Sequence, residues 1–93
     1  MSLQILSANF TMALERLIPY LARTIKKRRE QLGLSCEDLA QATGLSAEYI
    51  QFIETGGNNF AMTTLKTIAE GLRMAPSQLI RSAEQLQEHD GKN

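Results

Sequence analysis

Apolar residues recur every three or four positions along most of the chain, which is the spacing of one face of an α-helix. Leu21, Ile25 and Leu32 follow this spacing. Pro19 suits the first turn of their helix, because that turn does not need its missing N–H. We therefore predict a helix that begins at Pro19, preceded by a short separate helix over residues 11–17.

Two shorter helices follow, and each begins with a serine that can cap it. Ser35 precedes acidic residues in the first turn of a predicted helix over residues 36–43, an arrangement typical of a capping box. Ser46 precedes a second predicted helix over residues 47–55. Gly44 lies between the two, and glycine readily adopts the left-handed conformation that a tight turn requires.

The same spacing predicts a fourth helix from Met62 or Thr63 and a fifth from Pro76, whereas the final residues are polar and are expected to fray. No segment alternates as a strand would. The predicted fold class is therefore all-α, in one domain, because 93 residues leave room for no more. The predicted organisation is an N-terminal lead over residues 1–17, a main domain over residues 18–86 and a polar tail over residues 87–93.

The composition excludes several classes of protein. Ten basic and ten acidic residues give a net charge of zero, which argues against a non-specific nucleic-acid coat. A single cysteine cannot form an internal disulfide or a zinc cage, and no glycine-rich phosphate loop or Ser-His-Asp set is present. Neither a signal peptide nor an apolar run of about 18 residues occurs, so we expect a cytoplasmic protein without a membrane span. We expect no enzyme activity, no cofactor and no metal.

The charge is unevenly distributed although it balances overall. Six basic residues lie between Arg16 and Arg29, whereas the stretch from Glu30 to Leu65 holds five acidic residues and no basic one. Such a contrast is typical of internal ion pairs, of an oriented binding face, or simply of a solvated helix surface.

Three residues around the predicted turn at Gly44 have the spacing of a helix-turn-helix. Ala40 is small enough for the second helix to cross close by, Gly44 allows the sharp turn, and Ile50 fixes the second helix on the core. A unit of this kind presents its second helix to the major groove of DNA.

A wider resemblance is carried by Ile25, Arg29, Gly33-Leu34-Ser35, Leu39-Ala40, Gly44-Leu45-Ser46, Tyr49-Ile50, Ile53-Glu54-Thr55-Gly56, Leu65 and Ile68-Ala69-Glu70-Gly71-Leu72. In this pattern the chain resembles the lambda repressor/Cro-like helix-turn-helix domain, the XRE family, over roughly residues 22–83. The resemblance implies a compact five-helix, lambda-repressor-like bundle, to which this chain adds an N-terminal helical segment. It also implies sequence-specific binding of double-stranded DNA, usually by a homodimer that regulates or represses transcription.

The resemblance assigns roles to individual residues. Arg29 and Glu54 match a buried ion pair that joins the first helix to the third, which is a structural role. The helix over residues 47–55 would enter the major groove, where Gln51 suits adenine and Glu48 suits cytosine. The expected DNA contacts are Arg23, Lys26, Lys27, Cys36, Ser46, Ala47, Glu48, Gln51, Phe52, Asn58 and Asn59.

The chain departs from the family where phosphates are usually bound. Cys36 stands in place of a frequent Gln, and Gly57-Asn58-Asn59-Phe60 replaces a basic stretch. We therefore expect weak DNA affinity unless the first helix compensates, for which Arg23 is the preferred candidate. Cys36 lies at a helix N-terminus, which lowers the pKa of a thiol, but a lone cysteine is more often passive than redox-active. Phe52 would contact DNA, contact a dimer partner or belong to a shifted core.

Two functional hypotheses follow. The first is a homodimeric regulator on a palindromic operator, dimerised through its fifth helix or its apolar N-terminal segment. The second is a protein-interaction or antitoxin-like module with weak DNA affinity, which the acidic recognition region favours. The candidate dimer residues are Met74, Leu79, Ile80 and Leu86 in the fifth helix and Leu3, Ile5, Leu6, Phe10, Leu14 and Leu17 in the lead.

Overall fold

Five α-helices make up the protein. The computed structural model describes residues 3–56 and 60–91, with side chains in these ranges from residue 13 onward except that of Leu14. The helices are α1 (Leu3–Gln31), α2 (Cys36–Thr43), α3 (Ala47–Glu54), α4 (Met62–Gly71) and α5 (Pro76–Gly91). No strand occurs within the described ranges, and the predicted all-α class is confirmed.

The first helix, α1, is continuous over 29 residues and contains Pro19 in its interior. The prediction of two helices separated at Pro19 is therefore wrong. A proline inside a helix removes one backbone hydrogen bond and usually kinks or ends the helix. Leu21, Ala22 and Ile25 follow directly and are buried in the core, so their packing stabilises the helix across the proline.

The last helix, α5, is longer than its polar sequence indicates. It continues to Gly91, so the segment from residue 87 that was expected to fray is helical as far as Gly91, and residues 92–93 lie outside the described ranges. Asp90 accepts a hydrogen bond from the Arg23 guanidinium at 3.1 Å. This contact joins the end of α5 to α1.

Aliphatic side chains from all five helices form one core. The first helix packs on α5 and α3, while α2 packs on α3 and α4. Leu79 is fully buried in this core, so the expectation that it contributes to a dimer surface is wrong. The buried residues are Leu17, Leu21, Ala22, Ile25, Leu39, Ile50, Ile53, Leu65, Ile68, Ala69, Leu72, Leu79 and Ala83.

Candidate nucleic-acid interface

A tight left-handed turn joins α2 to α3. Gly44 has a φ of 76° at the end of α2, and its N–H donates to the carbonyl oxygen of Ala40 at 2.9 Å. A side chain with a Cβ atom is disfavoured at this φ, which explains the glycine. Ala40 packs against the core and Ile50 is fully buried. All three residues therefore have the positions that a helix-turn-helix requires.

Serine hydroxyls cap both helices of this unit. The Ser35 hydroxyl accepts from the Asp38 N–H at 3.0 Å, and the Asp38 carboxylate accepts from the Ser35 N–H at 2.9 Å, which completes a capping box. The Ser35 backbone N–H, and secondarily its side chain, hold the pKa of Asp38 below its ordinary value. The Ser46 hydroxyl accepts from the Tyr49 N–H at 3.0 Å. Ser46 is thus a cap of α3, and its contact with phosphate stays a prediction.

The outer face of α3 is a stripe of exposed side chains, formed by Glu48, Gln51 and Phe52. Residues three and four apart share one face of a helix. The opposite face carries Ile50 and Ile53, which are fully buried. Phe52 is 53% exposed, so it does not belong to a shifted core. Ala47, at the start of the same helix, is half-buried.

A bidentate ion pair fixes α3 to α1. Arg29 Nε donates to Glu54 Oε2 at 2.8 Å and Arg29 Nη2 donates to Glu54 Oε1 at 3.0 Å. The two side chains are only 11% and 7% exposed. A third donor, Arg29 Nη1, reaches the carbonyl oxygen of Leu34 at 2.8 Å. The hydrogen bonds with Glu54 raise the pKa of Arg29. The pair implied by the family resemblance is therefore present, and it also ties down the connection between α1 and α2.

Cys36 is half-buried at the first position of α2. Burial raises the pKa of its thiol, and the negative charge of Glu54 adds to this rise. The positive charges of Arg29 and Lys26 act in the opposite direction and do not compensate. Desolvation of the thiolate therefore opposes the lowering of the pKa that is expected from the helix N-terminus. Cys36 is consistent with a passive residue.

The three candidate cations of α1 lie in different surroundings. Lys26 is exposed, and its charge is the smallest of the influences on the pKa of Cys36 at the start of α2. Lys27 lines a depression between α1 and α5. Arg23 pairs with Asp90 of α5 and lies 5.7 Å from the centre of the Tyr20 ring. The three cations, three and four residues apart, share one exposed face of α1, but their neighbours differ, and their contacts with phosphate stay predictions.

The end of α3 lies against α1. Gly56 has a φ of 77°, and a Cβ atom added to it would lie 3.3 Å from the Cα atom of Pro19. Asn58 and Asn59, which follow, lie outside the described residues, so their contacts with phosphate stay predictions. Phe60, on the far side of this gap, packs partly buried against the core.

The face formed by α2 and α3 carries more carboxylates than cations. Glu37, Asp38 and Glu48 are all exposed in the first turns of these helices. Acidic residues there interact favourably with the helix dipoles, but they also repel phosphate. No group of three or more metal-binding side chains occurs among the described residues. Within the same residues, no helix is both long enough and apolar enough to cross a membrane.

Comparisons with other proteins agree with this geometry. The model of the family described as Helix-turn-helix matches residues 25–79, which is more than half of the chain. The HTH-type transcriptional regulator SutR of Escherichia coli (strain K12) is 37% identical over 67 residues, which cover 72% of this chain but only 38% of SutR. The match thus spans well under half of that regulator.

Solved structures of restriction-modification controller proteins are similar in fold. Wild-type C.Esp1396I has a TM-score of 0.68 at 29% identity, over 74% of this chain and 88% of that protein. C.AhdI from Aeromonas hydrophila has a TM-score of 0.64 at 27% identity, over 67% and 94% of the two chains. The C.Esp1396I tetramer in complex with its natural 35 base-pair operator has a TM-score of 0.64 at 31% identity, over 72% and 93%. On its helix-turn-helix geometry and these matches, the chain belongs to the lambda repressor/Cro-like (XRE-type) helix-turn-helix family.

Proposed function

We propose that the protein is a sequence-specific, double-stranded DNA-binding regulator of transcription that places α3 in the major groove. The observation that carries the proposal is the exposed stripe of Glu48, Gln51 and Phe52, backed by the fully buried Ile50 and Ile53. The side-chain chemistry suits base edges, since an amide pairs with adenine, a carboxylate accepts from cytosine, and an apolar group contacts the methyl group of thymine. The family itself is not an enzyme class.

Phosphate contacts in this proposal come from few cations. Lys26 is the cation of α1 preferred here, because its charge reaches Cys36, whose backbone N–H lies at the N-terminus of α2. The neighbouring carboxylates reduce the attraction for DNA. Because each neutralised phosphate contributes to the salt dependence of binding, we expect a shallow salt dependence and an affinity that rests mainly on base contacts.

We propose further that the protein binds DNA as a homodimer. The controller protein C.Esp1396I forms a tetramer on its operator, and two copies of α3 in successive major grooves would require a palindromic site with half-sites about one helical turn apart. We propose that occupancy of this site represses transcription, because bound protein excludes other proteins from the same DNA.

An apolar groove supplies a candidate dimer surface. It has a volume of about 150 Å³, lies between α1, α4 and α5, and includes Ile18, Met62 and Ile80. Met62 is 66% exposed at the start of α4. Each dimer candidate of the sequence, the lead and α5, contributes one side chain to this groove. Leu17 of the lead and Ile80 of α5 line it.

Substitution of Met62 tests the dimer surface. In Met62→Glu the new carboxylate lies at a helix N-terminus, which tolerates negative charge, but it would be buried in the dimer. We expect sedimentation to show a dimer for the wild type and a monomer for this variant. Thr63→Glu, at the exposed neighbouring position, is the matched control and should remain dimeric. If Met62→Glu and Thr63→Glu both remain dimeric, the dimer surface does not include this groove.

Substitutions of glutamine and lysine test the DNA-binding proposal. On a duplex selected by the wild type from a random library, Gln51→Ala should change the preferred base at one position of each half-site, by about 1–3 kcal/mol. Gln41→Ala, which changes an exposed glutamine of α2, should leave base preference unchanged.

Lys26→Gln should weaken binding to all DNA sequences and reduce the salt slope by about one, whereas Lys27→Gln should not. Equal effects within each pair would contradict the assignment of this face.

A second function, recognition of a protein by an antitoxin-like module, is favoured by the acidity of the same face and by Phe52. Phe52 exposes about half of its apolar surface and could supply a contact to a partner. If a protein is the target, Phe52→Ala or removal of the residues before Thr11 should abolish partner binding, while Gln51→Ala and Lys26→Gln should leave it intact. Loss of DNA binding in Gln51→Ala and Lys26→Gln, with unchanged DNA binding in Phe52→Ala and in the truncated chain, would instead favour the regulator.

A further inference from the structure

A cluster of cations lies on α1, on α5 and on the turn between α4 and α5. Arg28, Arg73 and Arg81 line one depression of about 520 Å³, formed by α1, the connection between α4 and α5, and α5. Lys27 lines an adjoining depression of about 480 Å³. The two share Met74 among their lining residues. We name the four basic residues and Met74 the arginine patch.

The cations of the arginine patch form no ion pair among the described residues. No carboxylate lines either depression, and the two ion pairs of the described residues involve Arg29 and Arg23 instead. Glu70 borders Arg73 only in a separate depression. Four of the ten basic residues of a chain with zero net charge are thus concentrated here. Like charges at close range repel, so this arrangement costs stability in the free protein.

Arg73 adds a second local cost, because its backbone is left-handed with a φ of 60°. It follows α4 in a turn where the Met74 N–H donates to the Ala69 carbonyl oxygen at 2.9 Å, which is the pattern of a Schellman motif. Glycine is the usual residue at this position, because a side chain is disfavoured in a left-handed backbone. The other left-handed residues of the described chain are all glycines, at Gly33, Gly44 and Gly56. A long cation therefore stands where the backbone favours glycine.

One member of the arginine patch is held in place by the protein. Arg28 Nε donates to the carbonyl oxygen of Leu72 at 3.0 Å, which fixes its guanidinium against the turn that carries Arg73. A guanidinium matches a carboxylate with two parallel N–H donors. The floor between the cations is partly apolar, since Met74 and Leu86 line it. Arginine and methionine together are typical of surfaces that bind proteins.

We propose that the arginine patch binds an acidic segment of a partner protein, one that alternates carboxylates with apolar side chains. The cations are spread over two open depressions, which suits an extended peptide better than a single phosphate. The patch lies on α1, α5 and the turn after α4, whereas α3 packs against α1 and α2. A partner on the patch and DNA on the outer face of α3 would therefore contact different residues. This inference does not depend on the proposed DNA binding.

The test uses the full chain and a short labelled peptide of alternating Glu and Leu, with a Gln/Leu peptide as the neutral control. Fluorescence anisotropy at low salt should show binding of the acidic peptide alone. Arg73→Gly with Arg81→Gln should weaken it roughly tenfold or more, because two charge-assisted contacts are lost. Arg16→Gln, an exposed arginine of α1 outside the patch, should leave affinity unchanged. Arg73→Gly alone should also raise the thermal midpoint, because it relieves the left-handed strain.

Backbone amide shifts in NMR give an independent readout. The acidic peptide should perturb the amides of Arg28, Met74 and Ser82, and a DNA duplex should not displace it. The proposal is overturned if no peptide binds, if Arg16→Gln weakens binding as much as the double variant, or if inorganic pyrophosphate gives the same shifts at similar concentration. The last result would assign the patch to phosphate rather than to a protein. Unchanged binding of the double variant to duplex DNA separates this test from that of the proposed function.

Discussion

Two ion pairs join α1 to other helices and differ in their exposure to solvent. Arg29 and Glu54 form two hydrogen bonds, and their side chains are 11% and 7% exposed. Arg23 and Asp90 form one hydrogen bond, and their side chains are 57% and 38% exposed. A buried charge that loses its partner keeps its desolvation penalty, whereas an exposed charge is solvated again. The comparison indicates that α3 is held firmly on α1, while the end of α5 is held weakly.

The largest effect should come from removing one partner of the buried pair. Glu54→Ala strands the Arg29 guanidinium in the protein interior and should lower the free energy of unfolding by about 3–5 kcal/mol. Chemical denaturation measures this change. Glu48→Ala, an exposed glutamate of the same helix, should change stability by no more than about 0.5 kcal/mol. Similar losses in both variants would contradict the distinction between a buried and an exposed charge on α3.

Removing both buried charges together sharpens the comparison. In Arg29→Met with Glu54→Leu no charge is stranded, and replacement of a buried ion pair by apolar residues of similar volume is often neutral. The double variant should therefore recover most of the stability that Glu54→Ala loses, in the same denaturation experiment. A double variant as unstable as the single one would mean that loss of the Arg29 hydrogen bond to the Leu34 carbonyl oxygen costs as much as the stranded charge.

The exposed Asp38 carboxylate in the capping box of α2 makes a contribution to stability that depends on pH. The Ser35 hydrogen bonds lower the pKa of Asp38 in the folded protein. Their stabilisation is present above the ordinary pKa of an aspartate, about 3.9, and is lost as the pH falls through the lowered folded value. The thermal midpoints of the wild type and Asp38→Asn should therefore differ at neutral pH and converge in acid below about pH 4. A difference that does not change with pH would contradict the role of the carboxylate.

The smallest effect should come from the exposed pair. Asp90→Asn should change the free energy of unfolding by less than about 0.5 kcal/mol, because exposed ion pairs contribute little and are screened by salt. Urea denaturation at low and high salt is the measurement, with Glu88→Gln on an exposed position of the same helix as control. A loss as large as that of Glu54→Ala would show that burial does not separate the two pairs.

Local signals in the sequence predict the helix-turn-helix of α2 and α3 well. Ser35, Gly44 and Ser46 mark the ends of α2 and α3, and each acts over three or four residues. The family resemblance further implied the pair of Arg29 and Glu54. These features depend on short-range hydrogen bonds or on a known pattern, so a single sequence contains them.

Other features depend on tertiary packing and were not predictable in this way. The helix continues through Pro19 because buried residues follow it, and α5 continues to Gly91 although its last turns are polar. Lys26 and Lys27 are adjacent in sequence and point about 100° apart around α1. Which neighbours each of them meets depends on how the other helices pack on α1. Arg73 follows α4 where glycine is the usual residue, and this departure was the available signal for the arginine patch.

Selection of the folded wild-type protein against a random duplex DNA library tests the central claim most directly, namely that α3, fixed by the Arg29–Glu54 pair, reads base sequence. Selection at low salt is followed by renewed measurement of the enriched duplexes near physiological salt. The account predicts a palindrome whose half-sites lie about one helical turn apart, with adenine at the position that Gln51→Ala no longer distinguishes. Enrichment of no sequence by protein whose circular dichroism shows a folded helical bundle would contradict it.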